Sequence, residues 1–248
     1  MPENYKEIDN IFFTDGYQLA ESILKDFISP GSLSRLTELL YINIDGLLED
    51  FESRIKLENK KIDCKESCHW CCTQAVFINP REALYILKYV RSNFNDEELS
   101  ELKSRVSKKQ KNTKDLSLKE QLTHKADCPF LKDRICSIYS VRPMACRIYL
   151  SMSLASCKAN YNNPESEKKF AKLYDFPLHA GRMLNEGIAS YLREKNIYVP
   201  AINIESGMKY FLQSDNSAEL WLKGDKKFPS PEYTTEDLAE LKRFEINE

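Results

Sequence analysis

Apolar residues recur at helical spacing through most of the chain. Leu19, Ile23, Leu24 and Phe27 mark an amphipathic helix within residues 1–30, with Thr14 or Asp15 as its cap and Ser29, Pro30 and Gly31 as its stop. Leu36, Leu39, Leu40, Ile44, Leu47, Leu48 and Phe51 predict a longer helix over 34–57. Gly46 inside it marks a close packing point or a kink. Residues 74–78, QAVFI, read as a short strand or an apolar continuation of what precedes them. Asn79 followed by Pro80 opens a new helix whose buried side is Leu84, Ile86, Leu87 and Val90. Asn95 with Glu98 forms a capping box for another, running to about residue 108. Helices are also predicted over 165–174, 179–195, 205–212 and 234–244, the last capped by Thr234 or Thr235. Residues 198–204 are extended or form a turn, given Pro200, and 228–231, with two prolines, form a linker. There is no internal repeat.

Two stretches break this pattern, and both are rich in cysteine. The first, CKESCHWCC over residues 64–72, holds four of the eight cysteines; Cys128, Cys136, Cys146 and Cys157 follow after a long gap. On an ideal helix, with about 100° per residue, Cys64, Cys68, Cys71 and Cys72 share one face within an arc of about 100°. A helical turn or tight helix-like loop can therefore offer several sulfurs to one centre. Cys71 and Cys72 diverge by about 100°, so they are not expected to bind the same ion. The second stretch, CPFLKDRICSIYSVRPMACR over 128–147, cannot be one helix, because Pro129 and Pro143 interrupt it. Irregular backbone suits a loop that wraps a metal. The expected fold class is mainly α: one irregular helical domain over 1–248, with little or no sheet, wrapped around a cysteine-rich metal site at 64–157 and flanked by helices at both ends.

Composition narrows the chemistry. The apolar share, 42%, supports a real core, and 30% of residues are charged. Only 7 glycines argue against a glycine-rich phosphate-binding fold. A net charge of −2 gives no global field for nucleic acid, so no nucleic-acid partner is expected. The basic run KKQKNTK at 108–114 lacks interleaved aromatics and reads as a solvated helix end or loop. No stretch approaches the roughly 20 apolar residues of a membrane span. The first residues, MPENYKEIDNIFF, carry acids and no long apolar run, so a cytoplasmic location and no membrane partner are expected. Disulfides are rare in that compartment, which directs eight cysteines to metal or redox chemistry.

Thiolates are soft ligands that select zinc or iron–sulfur clusters, including the 4Fe-4S type, over magnesium or calcium. Eight cysteines make two full sites, or one site with reactive or buried spares. The spacing C-x3-C-x2-C-C matches neither zinc-ribbon knuckles nor a ferredoxin run. Cys64, Cys68 and Cys71 reproduce the radical enzymes' C-x3-C-x2-C spacing, but the alternating strand–helix pattern of those barrels is missing. Arg134, Arg142 and Arg147 lie among the later cysteines, and their charge would offset that of a thiolate-ligated metal; binding of a substrate carboxylate or phosphate is the other role for them. Tyr139 packs in, or hydrogen-bonds within, the same shell. His69 could add a ligand, but in a four-cysteine setting it is read as packing or supporting the ligands.

CKESCHWCC, then CPFL, then CSIYSVRPMACR and a last cysteine resemble the YkgJ-type cysteine-cluster family of zinc- or iron-chelating domains. The resemblance implies Cys64, Cys68, Cys71, Cys72, Cys128, Cys136, Cys146 and Cys157 as metal positions. This chain differs in having three residues in the first gap, and His69-Trp70 where a small or basic pair is common. The family implies zinc or an iron–sulfur cluster. Some members resemble flagellin lysine N-methylases, which implies S-adenosylmethionine and a protein substrate as the alternative; a metal-free thiol-redox sensor is a second alternative. A cofactor-binding strand and glycine-rich turn of the usual methyltransferase kind are not present.

Overall fold

The computed structural model describes residues 3–166 and 169–230. It is mainly helical: α1 (Glu3–Leu24), α2 (Pro30–Leu57), α3 (Pro80–Asn93), α4 (Asp96–Thr113), α5 (Leu118–Thr123), α6 (Met144–Arg147), α7 (Leu154–Asn162), α8 (Asp175–Glu194), α9 (Ile204–Phe211) and α10 (Ser217–Leu222). Sheet is confined to two antiparallel pairs among the described residues. β1 (Phe77–Ile78) pairs with β4 (Ile202–Asn203), placing Phe77 opposite Asn203; β2 (Leu131–Lys132) pairs with β3 (Ile135–Cys136), placing Leu131 opposite Cys136.

The N-terminal hairpin is offset from its predicted boundaries. α1 begins about ten residues earlier than its apolar stripe indicates, so Thr14 and Asp15 lie exposed in mid-helix and cap nothing. Ser29-Pro30 starts α2 rather than stopping α1: the Ser29 hydroxyl accepts from the Ser32 N–H, and Pro30 sits at the first helical position, where a missing N–H costs nothing. Phe27, read as part of the α1 stripe, lies in the link and is 68% exposed. Gly46 is not a packing point, since a Cβ there would meet nothing within 4 Å. The close approach is instead between α1 and α8, where a Cβ on Gly16 would run into the Leu184 carbonyl and one on Gly187 into that of Phe13. The two backbones touch where the sequence carries no side chain.

The α3 cap reaches beyond its own helix. Asn79 accepts from the Glu82 N–H at 3.2 Å, and Glu82 Oε2 accepts the Asn79 N–H at 3.1 Å. The other carboxylate oxygen of Glu82 accepts from the Tyr41 hydroxyl of α2 at 2.9 Å and from the Met144 N–H at the start of α6 at 2.8 Å. One buried carboxylate thus ties α2, α3 and α6 together and fixes the short helix that carries Cys146. Burial and this carboxylate push the Tyr41 hydroxyl well above the usual phenol range.

One hydrophobic cluster runs from Ala20 on α1 to Phe228, with α2, α3, α8 and α9 as its main contributors. α8 and α9 match the predicted 179–195 and 205–212 to within a few residues. The predicted helix over 165–174 is not found in the described part of that range. Met152 N–H donates to the Lys172 carbonyl and Tyr174 N–H to the Leu150 carbonyl, which draws this segment out as an extended partner of residues 150–152. The predicted helix over 234–244 lies outside the described residues. No helix among the described residues is long and apolar enough to cross a membrane.

Gly187→Ala is expected to lose about 1–3 kcal/mol, because its methyl would meet backbone rather than a yielding side chain. Gly46→Ala should gain up to about 1 kcal/mol, as an open helical glycine. Urea unfolding midpoints of the two variants check both signs.

Candidate metal centre

The first cysteine segment is a loop rather than a helix. Residues 58–69 leave α2 irregularly; Cys68 N–H closes a turn on the Lys65 carbonyl, and a single 3-10 turn spans Trp70–Thr73. This is the tight helix-like loop among the geometries predicted for it, with the four thiols spread along a bend. The second segment begins against the first: Cys128 N–H donates to the Cys72 carbonyl at 2.7 Å, and Ala126 N–H to that of Thr73 at 3.0 Å. The chain then forms the β2–β3 hairpin, whose two-residue turn, Asp133-Arg134, takes positive φ at both positions, 51° and 63°. A 3-10 turn at Tyr139–Val141 and helix α6 follow, and Cys157 sits on α7. Asp63 N–H donates to the Ser151 carbonyl at 2.9 Å, and Asp63 Oδ2 accepts the Leu154 N–H at 2.9 Å, fastening α7 to the start of the first segment.

Seven of the eight cysteines line one cavity of about 490 Å³. Cys157 lies just outside it and is joined to it through Ser151, whose hydroxyl accepts from the Cys157 thiol at 3.1 Å and whose N–H donates to Cys64 Sγ at 3.1 Å. All eight are free thiols and partly exposed. Among the described residues, no group of three or more His, Cys, Asp or Glu side chains closes on a point that could hold a metal ion.

Electrostatics distinguish the sulfurs. Burial pushes Cys64 and Cys128 each up to about 11, and pushes Cys146 up as well. The Cys72 thiol donates to the Cys71 sulfur, which favours thiolate at Cys71 and keeps the proton on Cys72. Backbone N–H groups oppose the burial effect in a repeated way: the Phe130 N–H bonds the Cys128 sulfur and the Ile138 N–H that of Cys136, each two residues on. These donors are fixed by the hairpin and point at the sulfurs before any metal arrives.

The predicted arginines separate into three situations. Arg142 lines the cavity, lies 4.0 Å over the Tyr139 ring, donates to the Tyr139 carbonyl at 2.9 Å and lowers the thiols of Cys136 and Cys146. Tyr139 is the stacking platform that aims this charge. Arg147 is 1% exposed and its guanidinium is consumed by the fold: it bonds Asp45 of α2 and the carbonyls of Ser140 and Arg142, and lies 4.1 Å over the Tyr41 ring. It shapes the loop that carries Cys136 and Cys146. Arg134 occupies the exposed hairpin turn, away from the cavity. His69 stacks on Trp70, with ring centroids 5.2 Å apart, in agreement with a packing role.

Three polar residues of the site escaped the sequence reading. Lys109 belongs to the basic run taken as solvated, yet it is only 6% exposed; its ammonium donates to the Ala126 carbonyl and lowers the Cys128 thiol. Its place on the inner stripe of α4, with Leu102, Val106 and Thr113, was the available signal. Ser151 and Tyr149 follow Arg147 closely in sequence. The Tyr149 hydroxyl accepts from Gln74 at 3.3 Å, and its carbonyl accepts from the Cys64 thiol at 3.6 Å.

Residues 63–173 match a family model described as "CxxCxxCC: Putative zinc- or iron-chelating domain". The match covers 111 of the 248 residues, and it agrees with the resemblance that the cysteine motifs carry. No curated protein and no solved structure matches the chain.

Arg147→Met should cost about 2–4 kcal/mol, because two carbonyls and Asp45 lose a donor fixed inside the fold. Arg134→Gln should stay within about 0.5 kcal/mol. Chemical denaturation of the metal-free variants measures the contrast.

Proposed function

We propose that the protein is a cysteine-ligated metal-binding protein of the YkgJ type that carries iron as an iron–sulfur cluster, held jointly by residues 64–72 and 128–157. The observation that carries this reading is the shared cavity: thiols from both segments line a single space of about 490 Å³. In a tetrahedral zinc site with Zn–S bonds of about 2.3 Å, neighbouring sulfurs lie about 3.8 Å apart and enclose no free volume. A polynuclear cluster brings its own inorganic core and holds its cysteines further apart, which suits thiols arranged around a space. The chemistry of the donors fits as well. Eight soft thiols, backbone N–H groups aimed at Cys64, Cys128 and Cys136, and one guanidinium beside Cys136 and Cys146 stabilise a negatively charged thiolate complex.

Bound there, such a cluster would supply one-electron chemistry or serve as a structural tie. The chain's own residues do the rest. The hairpin presents two sulfurs with their N–H donors, Glu82 sets the helix bearing Cys146, and Arg142 supplies the compensating charge. Methyl transfer with S-adenosylmethionine draws no support from the family description.

Protein purified without oxygen should be brown, contain iron and acid-labile sulfide, and lose its visible absorption in air. Colourless protein with stoichiometric zinc would overturn the iron–sulfur assignment. In the cluster-bearing protein, Arg142→Gln should lower the reduction potential while leaving the iron content unchanged, because a positive charge near two ligand sulfurs favours the reduced, more negative cluster. Protein-film voltammetry reads that shift.

A further inference from the structure

We propose that one internal water molecule sits in a small polar chamber beside the thiol cavity and bridges the ammonium of Lys109 to the carboxylate of Glu205, so that this buried pair, and not the lysine alone, fastens the second cysteine segment to the first. The proposal does not depend on the thiols holding metal. Lys109 and Thr113 of α4, Gln121 of α5, Asn203 of β4 and Glu205 of α9 line the chamber, which has about 10 Å³. Ala75 lines both this chamber and the thiol cavity, so the two spaces are neighbours.

Both charges are taken out of solvent: Glu205 is 1% exposed and Lys109 6%. A buried charge without a partner is costly. The Thr113 hydroxyl donates to Glu205 Oε1 at 2.9 Å, and the Lys109 ammonium donates to the Ala126 carbonyl at 3.1 Å. Glu205 Oε2 has no hydrogen-bond partner among the described residues, so the two charges line one chamber without a bond between them. An ammonium has three hydrogens, and Ala126 takes one. The second buried oxygen without a partner is Asn203 Oδ1. A relay of amides fixes which way it points. Gln121 Nε2 donates to the Leu116 carbonyl at 2.7 Å, which leaves Gln121 Oε1 to accept from Asn203 Nδ2 at 2.9 Å, and that in turn leaves Asn203 Oδ1 as an acceptor.

A buried water needs roughly 10–15 Å³ and two to four polar partners. The chamber offers that room, one donor and two acceptors. Water there accepts from Lys109 and donates one hydrogen each to Glu205 Oε2 and Asn203 Oδ1, which is the usual number of bonds for an internal water. Other small ligands do not fit: a cation would meet the Lys109 charge, and an anion would meet the two acceptor oxygens. The consequence lies in the cysteine segments. Ala126 N–H and Cys128 N–H make the bonds to the Thr73 and Cys72 carbonyls, and Lys109 holds the Ala126 carbonyl. Glu205 is thus a positioning residue. Through the water it fixes Lys109, and through Lys109 it fixes the peptide that leads to Cys128, from a helix that carries no cysteine.

The test uses the full chain. Electron density from crystals that show ordered solvent should place one water within about 2.5–3.2 Å of Lys109 Nζ, Glu205 Oε2 and Asn203 Oδ1. An empty chamber, a metal ion or an anion at that position, or a direct bond between Lys109 and Glu205 would each overturn the proposal. Amide hydrogen exchange tests the consequence. Glu205→Gln should speed exchange of the Ala126 and Cys128 amides about tenfold and leave amides of α1 and α8 unchanged. Lys109→Met should speed the same two amides. Because both residues act through one link, adding Glu205→Gln to Lys109→Met should speed them no further. Unchanged exchange in Glu205→Gln, or additive effects in the double variant, would overturn the positioning role. If Lys109→Met fails to fold, the electron density and Glu205→Gln alone still decide.

Discussion

Everything at the centre depends on two backbone hydrogen bonds, Cys128 N–H to the Cys72 carbonyl and Ala126 N–H to that of Thr73. They join parts of the chain more than fifty residues apart, and together with the bonds from Leu154 N–H to Asp63 and from Ser151 N–H to Cys64 they hold the two groups of cysteines against each other. Closing such a loop carries an entropic cost that grows slowly with its length, so α3 and α4 can be accommodated within it cheaply. What the stitch needs is a rigid base on each side. On one side the 3-10 turn at Trp70–Thr73 presents two carbonyls in sequence. On the other, Lys109 holds the Ala126 carbonyl from α4, so the strand reaching Cys128 is tied at both edges.

The helical frame was legible because its apolar spacing and caps are local properties. Asn79-Pro80 and Asn95 with Glu98 cap their helices as the residues indicate, since a cap is decided within four positions. Ser29-Pro30 was misassigned for an equally local reason: a serine before a proline can end one helix or begin the next, and here the reciprocal bonds between Ser29 and Ser32 make it a beginning. Residues 165–174 failed differently. Their partner, residues 150–152, lies just beyond the second cysteine segment, and nothing local in the later stretch shows that pairing. At the centre, composition identified the thiols but not their supports. Ser151, Lys109 and Glu82 act across long sequence separations, which periodicity does not encode.

Two arginines five residues apart show how little residue type determines role. Arg142 and Arg147 lie in the same short motif, and each stacks on a tyrosine. Arg147 has each of its three guanidinium nitrogens bonded to a carbonyl or to Asp45, so its charge is spent within the loop. Arg142 makes one bond to a carbonyl and leaves the rest of its field for the sulfurs. The guanidinium fork explains both outcomes: several fixed donors suit a loop with several unpaired carbonyls, and a delocalised, weakly hydrated charge tolerates a cavity wall.

The adjacent pair Cys71-Cys72 is the place where local geometry and global arrangement agree most closely. Successive side chains on a 3-10 turn diverge by about 120°, so the two neighbouring thiols reach different parts of the wall of one cavity. Here both thiols line the same cavity, and the Cys72 carbonyl also accepts the Cys128 N–H. The Cys72 thiol, as donor to Cys71, favours thiolate at Cys71 and keeps its own proton. A doubled cysteine in a turn thus gives one cavity two thiols through a single peptide unit, together with the carbonyl that joins the second segment to the first.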